Sequence, residues 1–245
     1  MTLEVRALSK SYGGVRALRS VSFAVAAGER VALIGPNGAG KTTCFNLLNG
    51  QARPDSGDVL LDGKSLAGLP PREIWRRGVG RTFQVTQTFG SMTVRENVQV
   101  ALLSADGGLR NFLGSFREGK SGEADALLER IGMAEHKERR CAILSYGDLK
   151  RVELALALAS RPRVLLMDEP TAGMAPAERA ELMRLAVEVA ERERLALLFT
   201  EHDMDVVFGF ATRVLVLNEG ELIAAGAPED VRADRKVREV YLGSA

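Results

Sequence analysis

The sequence predicts an α/β protein with a mainly parallel sheet at its core, an antiparallel β portion at the start of the chain and a helical portion in the middle. Three observations carry this expectation. Arg30-Val31-Ala32-Leu33-Ile34 is a short β-branched run that ends directly in a glycine-rich loop, and apolar residues then recur at helical spacing from Lys41 to Asn49. Val164-Leu165-Leu166-Met167 and Leu195-Ala196-Leu197-Leu198-Phe199 are apolar throughout, as strands covered on both faces must be. Each of these runs follows a helical stretch, and such alternation of helix and strand is the pattern of a parallel sheet.

The other elements follow in order. Leu3-Glu4-Val5-Arg6-Ala7-Leu8 and Val21-Ser22-Phe23-Ala24-Val25 alternate as strands do, with Tyr12-Gly13-Gly14 as the turn between them, which gives the antiparallel start. Val59-Leu60-Leu61 ends at the turn signal Asp62-Gly63, and a short helix over 72–77 leads into Val79-Gly80-Arg81-Thr82-Phe83-Gln84. From Val94 the spacing is helical. The interval 104–122, rich in Gly and Ser, reads as a loop or loosely packed insertion before an amphipathic helix over 123–131. Helices over 146–159 and 176–192 precede the two apolar runs. Val214-Leu215-Val216-Leu217 and Glu221-Leu222-Ile223-Ala224, split by Asn218-Glu219-Gly220, form a terminal hairpin, and 231–242 has the spacing of one amphipathic helix.

Composition narrows the function. With 245 residues, 46% hydrophobic and 27% charged, the chain can bury a sizeable core. Lys and Arg number 33 against 32 Asp and Glu, so the net charge of +1 supplies no field for nucleic acid or an anionic membrane surface, and no nucleic-acid partner is expected. Cys44 and Cys141 stand far apart with no neighbouring Cys or His ligand pattern, which fits a reducing cytosol and neither a disulfide framework nor a zinc site. No apolar run approaches the roughly 18 residues that cross a bilayer, and the first residues lack the basic-then-apolar order of a signal peptide. Work at a membrane therefore requires a membrane partner.

Gly35-Pro36-Asn37-Gly38-Ala39-Gly40-Lys41-Thr42 matches G-x-x-x-x-G-K-[ST] in full, between a predicted strand and a predicted helix, with Thr43 beside it. In such a loop the backbone N–H groups turn inward around a β-phosphate, the lysine reaches the β- and γ-phosphates, and the Thr42 hydroxyl faces Mg²⁺. Asp168 and Glu169 leave the carboxyl end of a buried strand: the first suits indirect metal holding, the second polarisation of an attacking water. Loop and carboxylates together point to a nucleoside-triphosphatase that uses ATP and Mg²⁺.

Leu144-Ser145-Tyr146-Gly147-Asp148, placed just before the Asp168-Glu169 strand, resembles the LSGGQ signature of ABC-transporter ATPases. The resemblance covers essentially the whole chain. It implies a single nucleotide-binding domain over 1–245, with a helical subdomain at about 90–160. It also implies that Tyr12 stacks on adenine, that Gln84 senses Mg²⁺ and the water while contacting a membrane partner, and that His202 holds the γ-phosphate. Ser145 and Gly147 would bind ATP held by an opposite ATPase subunit. Two departures stand out: Tyr146 and Asp148 replace the usual Gly and Gln, and Ala175 stands where most relatives carry Asp. The second implies a missing polar contact across the dimer.

Arg81-Thr82-Phe83-Gln84, Met92-Thr93-Val94-Arg95-Glu96-Asn97-Val98, the Ser-Tyr-Gly form of the signature, Ala172-Gly173-Met174 and Tyr241-Leu242-Gly243 are similar to the ATPases of bacterial branched-chain amino-acid importers. That subfamily implies permease subunits, a second ABC ATPase in a hetero- or homodimer, an external substrate-binding protein reached indirectly, and a place on the cytoplasmic face of the inner membrane. Phe89, Met92, Phe112 and Phe116 are candidates for a permease groove or for the core. The alternatives are an ATPase of a lipopolysaccharide-type or other exporter, against which the Arg-Thr-Phe-Gln segment leans, and a soluble ABC ATPase, which the single cassette disfavours.

Overall fold

The computed structural model describes residues 2–82, 88–106 and 120–242. Strands β1 (Thr2–Tyr12), β2 (Val15–Ala26), β4 (Ser56–Leu61) and β5 (Lys64–Ser65) form an antiparallel sheet in the order β2-β1-β4-β5. A second sheet takes β3 (Arg30–Ile34), β6 (Val79–Thr82), β7 (Val164–Asp168), β8 (Ala196–Thr200), β9 (Arg213–Asn218) and β10 (Glu221–Gly226) in the order β10-β9-β3-β8-β7-β6. Its strand pairs are parallel except for the terminal hairpin β9–β10. The expected α/β class, with its antiparallel start, is the observed one.

The central strands are apolar on both faces because each face meets a different layer. Ile34, Met167 and Phe199 pack with residues of α3 (Val94–Ala105), α4 (Ser121–Arg130), α5 (Tyr146–Leu158) and α6 (Pro176–Glu193), among them Val98, Leu128, Leu154 and Met183. Leu33, Leu166 and Leu198, one residue out of phase, pack with Phe45 and Leu48 of α1 (Lys41–Leu48) and with Leu3 and Val25 of the antiparallel sheet. Cys44 lies in this second layer, fully buried, and desolvation pushes its thiol pKa up to about 12. Helix α2 (Pro71–Arg76) begins with proline at its first position, and α3 begins with a reciprocal cap between Thr93 and Glu96.

One helical expectation needs correction, and one helix was not foreseen. The stretch 231–242 is not one helix: α8 (Pro228–Ala233) ends at Asp234, whose extended backbone (ψ 126°) breaks the run, and α9 (Arg235–Leu242) follows. Asp234 Oδ1 accepts the N–H groups of Lys236 (2.7 Å) and Val237 (3.3 Å), so the residue acts as a cap rather than an interior position. Helix α7 (Met204–Phe210) was not anticipated; its signal is Asp203, whose carboxylate accepts from the N–H groups of Asp205 and Val206. Of the interval 104–122, residues 107–119 lie outside the described ones.

Candidate nucleotide site

The loop between β3 and α1 is held by close backbone approach. A Cβ on Gly40, whose φ is +106°, would sit 2.4 Å from the Ala17 carbonyl oxygen on β2; one on Gly35 would sit 2.2 Å from that of Leu217 on β9. Glycine at both positions is therefore a packing requirement as well as a conformational one. α1 opens without a side-chain cap and without an acidic residue in its first turn, so its amide N–H groups and dipole stay available to an anion. The Lys41 ammonium folds over the loop and donates to the carbonyl oxygens of Gly35 (2.7 Å) and Pro36 (3.1 Å). Burial pulls its pKa below the usual lysine value, while the Glu169 and Asp168 carboxylates push it back up.

A cavity of about 410 Å³ opens here. Asn37, Gly38, Ala39, Gly40, Lys41, Thr42, Thr43 and Glu169, all selected from the sequence, line it, joined by Val15, Arg16, Ala17, Arg19 and Glu219, which sequence reading did not select. Strand β2 and the β9–β10 turn bring these last residues in from distant parts of the chain, so no local pattern marks them. Tyr12 ends β1 half exposed, with the Lys10 ammonium 5.4 Å from its ring centroid; it does not line the cavity, whereas Val15 across the turn does.

Asp168 ends β7 with both oxygens engaged. Oδ1 accepts from the Thr200 hydroxyl at 2.8 Å and Oδ2 from the Arg81 guanidinium at 2.9 Å. Glu169 follows with φ +47°, an uncommon conformation for a residue with a side chain, and its N–H donates to the carbonyl (3.2 Å) and hydroxyl (3.0 Å) oxygens of Thr200. The next turn is tied to the end of β8 as well: buried Glu201 accepts from the N–H (2.9 Å) and hydroxyl (2.7 Å) of Thr171. His202 Nε2 then lies 2.9 Å from Glu169 Oε1, and both side chains reach solvent. Arg81, Thr200, Thr171 and Glu201 escaped the sequence reading as site residues. For Arg81, Thr200 and Glu201 the available signal was a polar residue in or directly after a strand run; Thr171, in the turn beyond β7, carries no such signal.

Ser145 caps α5: its hydroxyl accepts from the Asp148 N–H (3.1 Å) and donates to the Asp148 carboxylate (2.8 Å). Asp148, unusual by resemblance, is thus the partner of the signature serine. Tyr146 donates from its hydroxyl to the Ala172 carbonyl (3.2 Å), and Gly147 lies in the first helical turn facing Met174 and Glu178. Neither Ser145 nor Gly147 lines the cavity. Ala175 occupies the N-cap of α6, where Glu178 accepts its N–H at 3.3 Å but the alanine offers no acceptor in return. Gln84, Phe112 and Phe116 lie outside the described residues.

The donor set fits magnesium held on a nucleotide. Among the described residues no group of three or more His, Cys, Asp or Glu forms a cage of its own. One hydroxyl, Thr42, on the cavity wall and one carboxylate, Asp168, near enough to act on Lys41 are what a hard cation needs when phosphates and waters supply its other ligands.

Comparison with known proteins identifies the family. Residues 18–172 match the ABC transporter family, and residues 221–245 match the family described as branched-chain amino acid ATP-binding cassette transporter. The chain is 42% identical over 250 residues to the high-affinity branched-chain amino acid transport ATP-binding protein LivG of Escherichia coli (strain K12), covering 99% of this chain and 98% of LivG. The ADP conformation of MJ1267, an ATP-binding cassette of an ABC transporter, matches it with a TM-score of 0.88 at 31% identity over 100% of both chains. The dimeric post-hydrolysis state of the ATP-binding cassette MJ0796, bound to ADP and Pi, gives a TM-score of 0.78 at 26% identity, covering 92% of this chain and 98% of that one. The chain belongs to the ABC transporter family, as one of its ATP-binding proteins.

Proposed function

We propose that this chain is the ATP-hydrolysing subunit of an importer of branched-chain amino acids, seated on the cytoplasmic face of the inner membrane through permease partners. The observation that carries the reading is the end-to-end similarity to LivG, supported by a cavity lined by both the phosphate loop and Glu169. The match of residues 221–245 to the branched-chain family favours this reading over an exporter. No described helix is long and apolar enough to cross a membrane, so the permeases would supply the path.

The residues divide the work as follows. The amides of Gly38 and Gly40, the start of α1 and Lys41 hold the phosphates of ATP; Thr42 directly and Asp168 indirectly would hold a magnesium ion, which when bound would neutralise phosphate charge. Glu169 takes the proton of the attacking water, and His202, hydrogen-bonded to the same carboxylate, holds the γ-phosphate; by resemblance, Gln84 would sense Mg²⁺ and the water while contacting the permease. Tyr12 stacks on the base. Ser145 and Gly147 stand outside the cavity of their own chain, as residues that would meet ATP held by a second ATPase subunit. A mainly apolar cavity of about 390 Å³, lined among others by Trp75, Phe89, Val100 and Leu156, would receive a permease segment.

Co-purification tests the assignment of partners. The tagged chain carrying Glu169→Gln, extracted in MgATP, is expected to bring down two permeases and a second, related ATPase. Recovery of export components, or of soluble partners alone, would overturn the importer reading.

A further inference from the structure

We propose that Arg81 is a positioning residue for ATP hydrolysis, fixing the Asp168 carboxylate against the phosphate-loop helix so that Asp168 and Thr42 face the same metal ion. Its guanidinium reaches two elements that the sheet alone does not join. One terminal nitrogen donates to Asp168 Oδ2 at 2.9 Å; the other donates to Asn46 Oδ1 at 2.9 Å and Gln51 Oε1 at 3.0 Å, and the group lies 5.8 Å from the Phe45 ring centroid. Phe45 and Asn46 belong to α1, the helix that opens with Lys41 and Thr42, and Gln51 follows its end. Asp168 belongs to β7, next to the β6 strand that carries Arg81.

The pair is nearly dry: the side chains of Arg81 and Asp168 are 8% and 6% exposed. Burying a guanidinium and a carboxylate costs more free energy than an apolar pair of the same size, so stability alone does not account for them. What a planar fork adds is direction. One nitrogen fixes Asp168 while the other grips α1, a reach that a point-charge ammonium cannot reproduce. With Thr200 holding Oδ1, the carboxylate has a single orientation relative to the loop.

The inference rests on the ATPase reading and is tested with the full chain carrying Arg81→Lys or, separately, Asn46→Leu, which leaves the ion pair in place. ATP binding is measured by calorimetry in EDTA and across a Mg²⁺ titration, alongside steady-state hydrolysis. In EDTA both variants are expected to bind ATP within about twofold of the parent chain, because the phosphate loop is untouched. The Mg²⁺ needed for half-maximal tightening should rise about 10-fold and kcat fall about 10- to 100-fold with KM for ATP little changed, the range set by losing one charge-assisted hydrogen bond. Arg81→Lys with the parent's Mg²⁺ dependence and kcat would overturn the proposal. Equal loss of ATP binding with and without metal would overturn it too, reducing Arg81 to a packing role. Failure of Lys41→Ala to weaken ATP binding would instead sink the ATPase reading itself.

Discussion

Glu169→Gln is expected to bind ATP within about threefold of the parent chain and to lose about 10²- to 10⁴-fold in kcat, the usual contribution of a positioned general base. The amide keeps the shape of the carboxylate and can still meet His202, but it cannot accept the proton of water. The fold gives a reason to single this residue out. A φ of +47° at a residue with a side chain is strained, and the backbone is kept there by two hydrogen bonds to Thr200 and by the Thr171–Glu201 tie beyond it. Phosphate release at saturating MgATP together with equilibrium ATP binding checks both halves. Undiminished turnover would remove Glu169 from the reaction.

Lys41→Ala should weaken ATP binding itself, by about 10- to 100-fold or more, since a charged donor aimed at the phosphates is lost. The ammonium lies over the loop and donates to the Gly35 and Pro36 carbonyls. Because those carbonyls also lose their donor, some destabilisation of the loop should accompany the loss. Nucleotide affinity equal to that of the parent would contradict the placement of the phosphate site.

How far the sequence reveals this molecule depends on how local each feature is. The strand–loop–helix of residues 30–48 was legible because the glycines, the lysine and the helical spacing lie in one continuous stretch. The central strands were legible because burial on both faces leaves an unbroken apolar run. By contrast, the guanidinium of Arg81 meets Asp168 only because β6 and β7 are neighbours, although 87 residues separate them. The Thr171–Glu201 tie and the Arg16 and Glu219 contributions to the cavity are non-local in the same way. The break at Asp234 was missed for a different reason: amphipathic spacing continues through it, and only the capping bonds reveal that one helix stops and another starts. The replacements at Tyr146 and Asp148 stand in sequence only as departures from the usual signature, and the structure gives each a partner, Ala172 and Ser145.

ATP-driven uptake tests the central claim most directly. The complex co-purified with this chain, placed in proteoliposomes with its binding protein outside and ATP inside, is expected to accumulate leucine, isoleucine or valine in the lumen, and the same complex built with Glu169→Gln should not. Hydrolysis without movement of these amino acids, or their movement in the opposite direction, would contradict the account.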